Sequence, residues 1–68
     1  MSKYVNQLPH DVQMEIAIDA IVTLEENTNY STHDIVCIVH DVVMNEKLIN
    51  IIGSEEGLLD YDKYSKYL

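Results

Sequence analysis

Apolar residues recur along this chain at helical rather than strand intervals. In LPHDVQMEIAIDAIVTLEEN, residues 8–27, they fall three and four apart around acids spaced by four. That pattern predicts an α-helix over residues 9–26. Pro9 suits the first helical position, where its missing N–H costs nothing. Asp11 and Glu15 stand in the first turns, where the helix dipole favours carboxylates, and Leu8 can pack down at the helix start. Residues 1–7 read as a polar lead-in. NTNYS breaks the helix, with Asn27 or Asn29 able to take a left-handed C-cap.

Ser31 starts the next element. Asp34 follows three residues later at capping-box spacing, with Asp in place of the preferred Glu. Ile35, Val36, Ile38, Val39, Val42 and Val43 form a broad apolar stripe. The same run is β-branched enough to suit a strand. Its polar pairs, His33/Asp34, His40/Asp41 and Glu46/Lys47, recur near helical intervals and show no period of two, so a helix is predicted. It spans 32–44, or 32–52 if continuous. On one continuous helix Glu46 would project into the Ile35/Val42 face. That favours a break near Met44–Asn45, with Asn45 capping a short helix from Glu46 to Ile52 and Gly53 ending it. SEEG reads as a turn, and LLDYDKYSKYL as a last short helix over 60–67, with Tyr61 and Tyr64 on one side and Leu68 one turn on. The fold class expected is all-α: a small bundle of two long helices plus one or two short C-terminal ones, in one domain over residues 1–68.

On a helical wheel Asp11, Glu15, Asp19 and Glu26 fall within an arc of about 80°. Met14, Ala17, Ala20, Ile21 and Leu24 lie opposite, and Val12, Ile16, Ile18 and Val22 flank the acids on both sides. So wide an apolar surface is more than one partner helix covers, which leads to the expectation of a homodimer. Asp11, Glu15 and Asp19 are like charges at i, i+4 and i+8, each pair costing a few tenths of a kcal/mol in a free helix. Their step of about 6 Å roughly resembles that of successive phosphates on a nucleic-acid strand. These four acids, Asp11, Glu15, Asp19 and Glu26, are the candidate partner-binding residues.

Charge sharpens that reading. Twelve acids against four lysines, with no arginine, give a formal net charge of −8 on 68 residues. Direct binding to nucleic acid is disfavoured, because it depends on cations neutralising phosphates, and so is docking on anionic lipid. A basic protein partner is favoured. The structural alternative is that the acids only keep an oligomeric helical protein soluble. A helix-turn-helix regulator conflicts with the lack of basic residues on any recognition helix.

Candidate chemistry adds little. His33, Cys37 and His40 fall at i, i+4 and i+7 with Met44 one turn later, donors that suit zinc or copper. Three ligands along one rod do not close a tetrahedral centre, so the expectation is no metal, and a face beside the packing stripe with Cys37 partly buried and inert. The His-Asp doublets His10–Asp11, His33–Asp34 and His40–Asp41 point their members about 100° apart on a helix, and the chain is short for a phosphohydrolase scaffold. Histidines beside aspartates also allow a generic pH response. With no glycine-rich phosphate loop and no arginine clamp, no enzyme and no cofactor are expected. Cys37 as the lone cysteine suits a reducing cytoplasm. No apolar run reaches the ~20 residues of a membrane span, and the first residues lack a signal peptide's apolar core.

Two resemblances follow from these residues. LPHDVQMEI, through Leu8, Pro9, Val12 and Ile16, resembles the opening of an F-box, a helical module that docks a ligase adaptor; the leucine-rich and Trp/Arg-bearing segments that should follow are absent. The whole chain is similar in size and in its acidic, Ile/Asn/Tyr/Lys-rich composition to small accessory proteins of bacteriophages and prophages of low-GC bacteria. That resemblance implies a protein that binds and inhibits one host protein, and it carries no site residues with it.

Overall fold

Two helices, α1 (His10–Asn27) and α2 (Thr32–Asn45), pack against each other and carry the fold. The structure, a computed structural model, describes residues 3–52 and 58–68. Two shorter helices follow, α3 (Leu48–Ile51) and α4 (Tyr61–Tyr64), the latter continued by a 3-10 turn over Ser65–Tyr67. No strand occurs among the described residues. The all-α arrangement of two long and two short helices is therefore the one expected from the pattern. Gly53 and the SEEG turn lie outside the described residues.

The helix ends show how side chains set the boundaries. Pro9 is the N-cap of α1 rather than its first residue. The helix leaves through Thr28 in extended backbone rather than through a left-handed asparagine. The Thr28 hydroxyl donates to the Leu24 carbonyl at 2.6 Å and the Asn27 amide to the Thr23 carbonyl at 2.9 Å. Both are side-chain bonds back to carbonyls four residues earlier, and the Thr28 N–H reaches the Leu24 carbonyl as well, at 3.0 Å. Ser31 caps α2 as its spacing predicts, its Oγ accepting from the Asp34 N–H at 3.2 Å.

The longer form of α2, to residue 52, is not adopted. Glu46 leaves the helix in extended backbone and α3 begins at Leu48, capped by Lys47 rather than Asn45. The Asn45 amide instead donates to Asp41 at 2.7 Å. The N-terminal segment fills the break, which corrects its reading as a polar lead-in. Tyr4 and Lys47 form an isolated antiparallel bridge. The Val5 N–H donates to the Glu46 carbonyl at 3.0 Å, and the Leu48 N–H to the Lys3 carbonyl at 2.9 Å. Val5 opens a 3-10 turn (Val5–Gln7) and is fully buried.

The core joins Val12, Ile16, Ala20 and Leu24 of α1 to Ile35, Val39 and Val42 of α2. Val5, Leu8, Leu48, Ile51, Ile52, Leu59 and Tyr64 close it from both chain ends. The buried arc of α1 is thus centred about 120° round the helix from its acids, moved by Val12 and Ile16 off the side directly opposite them. Met14, expected opposite the ridge, is exposed, as are Ile18 and Val22. The buried arc meets Ile35, Val39 and Val42 of α2, and the C-terminal segment adds Tyr64, whose hydroxyl reaches Asp19, while Tyr61 and Leu68, expected to accompany Tyr64, stay exposed. The chain exposes 4724 Å², against roughly 4,400 Å² from surface scaling for a folded monomer of this mass. A single chain encloses this core. No helix of the described residues is long and apolar enough to cross a membrane.

Candidate functional site

The acid ridge of α1 divides into two kinds of carboxylate. Asp11 and Glu26 are exposed at the two ends of the helix. Glu15 and Asp19, in the middle, hold one cation between them: Lys63 Nζ of α4 lies 2.8 Å from Glu15 and 2.9 Å from Asp19. The repulsion expected between carboxylates at i and i+4 is offset by this shared ammonium. Both contacts of Lys63 are ion pairs at the protein surface.

Asp19 is the most constrained of the four. It is half-buried, and the buried Tyr64 ring brings its hydroxyl to donate to Asp19 Oδ2, the same oxygen that Lys63 reaches. The Tyr64 hydrogen bond, then that of Lys63, holds the Asp19 carboxyl below its ordinary value of 3.8 against an opposing push from burial. The tyrosine phenol is driven up, first by burial and then by donating to Asp19. Hydrogen bonds to Glu15 and Asp19 raise the Lys63 ammonium. The Thr23 hydroxyl sits within reach of the Asp19 carbonyl at 2.9 Å and the Leu58 carbonyl at 3.1 Å, tying the α4 approach to α1 a second time.

Sequence reasoning missed Lys63 and Tyr64. Both lie more than forty residues from the ridge. The available signal was a short YDKY segment placing a cation beside an aromatic ring in a chain with few cations. Glu25 and Glu26 stand in the last turn of α1, where no basic residue accompanies them. The helix dipole disfavours carboxylates there by a few tenths of a kcal/mol, so helix stability does not account for them.

The His33, Cys37, His40 and Met44 face points to solvent, opposite the Ile35/Val39/Val42 core rather than beside it. Cys37 is exposed, which corrects its expected partial burial. Its sulfur lies 3.7 Å from His33 Nε2, a contact within one helical turn. Among the described residues no three His, Cys, Asp or Glu side chains gather as metal ligands. The F-box-like positions Leu8, Val12 and Ile16 are buried core residues and Pro9 is a helix cap, so packing accounts for that pattern. Compared with known proteins, the chain matches no family model, no curated protein and no solved structure.

Proposed function

We propose that this chain is a non-enzymatic, acidic interaction module that binds a basic protein. The supporting observation is the seat that Glu15 and Asp19 make for Lys63. Two carboxylates one turn apart already accept a lysine ammonium, and Asp11 and Glu26 continue the same ridge with no ion pair to another of the described residues. A partner's lysines and arginines meet the same chemistry. In its sharper form the partner is a nucleic-acid-binding protein of the host, and the chain is an accessory inhibitor of phage type whose carboxylates take the place of phosphates. An exposed free thiol at Cys37 supports a reducing cytoplasm as its compartment.

Capture from host lysate at low and high salt tests this. The expected result is retention of a nucleic-acid-binding protein at low salt and its release at high salt. Neutralisation belongs at Asp11 and Glu26, because Asp19 also holds Tyr64 in the core. The D11N/E26Q variant is expected to fold normally and lose most of the capture. Capture indifferent both to salt and to this variant refutes the reading.

A further inference from the structure

The solvent side of α1 carries more than charge. Met14, Ile18 and Val22 stand at i, i+4 and i+8 and are 59%, 57% and 45% exposed. They form a continuous apolar strip about 12 Å long at 1.5 Å per residue. Each has a carboxylate three positions before it: Asp11 before Met14, Glu15 before Ile18, Asp19 before Val22. Glu25 and Glu26 border the far end, three and four residues past Val22. On a helix such neighbours touch the same surface, so the strip has an acidic edge along its length.

We infer that this face docks an amphipathic basic helix of a partner protein, apolar side chains on Met14, Ile18 and Val22 and flanking lysines or arginines on the carboxylates. The inference rests on the acidic-module reading and specifies its surface. An apolar centre with a charged rim is how protein interfaces are built, and one strip of i, i+4 anchors matches the apolar face of one helix. The rim selects among occupants. A second copy related by a two-fold axis would bring like carboxylate rows together, at a cost that grows with each desolvated pair. A lipid surface or a nucleic acid presents phosphates of the same sign. Only a cationic helix satisfies both parts of the face.

Fluorescence anisotropy at low salt with designed peptides provides the test. The probes are a Leu/Lys peptide that is amphipathic when helical, a scrambled peptide of identical composition, and an amphipathic Leu/Glu peptide. The intact protein is expected to bind the amphipathic Leu/Lys peptide at least tenfold more tightly than the scrambled one, and the Leu/Glu peptide not at all. The M14Q/I18Q/V22Q variant should erase that preference. A V36Q/M44Q control, which removes exposed apolar side chains from α2, should keep it; circular dichroism verifies that both variants are folded. Equal binding of the two lysine peptides, loss of preference in the α2 control, or binding of the Leu/Glu peptide overturns the docking surface while leaving a purely electrostatic module standing. Failure of both lysine peptides to bind overturns both readings. Light scattering that finds a dimer dissolved by I18Q assigns the strip to a second copy and also overturns the inference.

Discussion

The Tyr64 hydroxyl donates a hydrogen bond to the carboxylate of Asp19, 45 residues earlier in the chain. The ring below that hydroxyl is almost wholly buried. One side chain therefore fills the last place in the core and anchors the ridge acid that also receives Lys63. Packing and surface charge meet at this pair, and the two contributions can be separated by substitution.

Y64F keeps the ring and loses the donor. The expected cost is about 1.5–3 kcal/mol, as for a hydrogen bond to a charged acceptor. Y64A removes a buried aromatic, a change that costs about 3–5 kcal/mol. That is a large share of the roughly 3–10 kcal/mol available to a chain of this length. Urea denaturation should thus show a shifted midpoint for Y64F and a largely unfolded Y64A. Equal midpoints for the two variants would mean that the ring contributes nothing.

The pH dependence of the clasp has a definite sign. The Asp19 carboxyl is lowered in the folded state, so its contribution is complete above about pH 4 and is lost as pH falls through the lowered folded value. The Tyr64 phenol and the Lys63 ammonium are raised, so their contribution is complete below about pH 10 and is lost as pH rises through the folded values. Relief of the net negative charge acts in the opposite direction in acid, so differences between proteins are the proper readout. The stability gap between wild type and D19N should shrink below pH 4, and that between wild type and Y64F above pH 10. A gap that stays constant across the acid limb contradicts the Asp19 assignment.

On the proposed function Lys63 competes with a partner's cation for Glu15 and Asp19. K63Q should therefore bind a lysine-rich peptide more tightly than wild type. Little change in folding is expected, because Lys63 is solvent-exposed and such pairs contribute weakly. Anisotropy titrations that give equal or weaker binding for K63Q would mean that the middle of the ridge takes no part in recognition.

The N-terminal segment is structural. Val5→Ala should cost about 2 kcal/mol, in line with the burial of a valine side chain, and removal of residues 1–7 should lower stability further by exposing Leu48 and the Glu46–Lys47 break. Thermal melts decide the matter; a truncated chain as stable as the full one would mean that the Tyr4–Lys47 bridge holds nothing together.

How much of this could be foreseen depends on where each signal lies in the chain. Helix positions, the Ser31 cap and the Glu46 break are written in neighbouring residues, because periodicity and capping act within a turn or two. The face of α1 that is buried was not legible in the same way. Apolar residues surround this helix on nearly every side, so its own pattern does not choose a rotation. The choice is made by contacts with α2 and with both chain ends, Tyr64 among them, and the local sequence of Tyr64 gives no hint of Asp19. Val5 was overlooked for a similar reason: one apolar residue among polar ones has no period, and its burial comes from pairing with a helix break. For the candidate site, the four acids could be found by spacing, but the internal cation held by two of them could not.

The helical state of α2 has a consequence beyond architecture. Between Ile35 and Val43 the chain places six β-branched residues, the composition of an aggregating strand. Folded, their hydrogen-bonding groups are spent within the helix and half their side chains are buried. Unfolded, the segment is guarded only by Asp34 and Asp41 nearby, in the manner of gatekeeper residues, and by the mutual repulsion of chains carrying eight negative charges. The acidity that runs along α1 in the folded protein thus also keeps its unfolded copies apart.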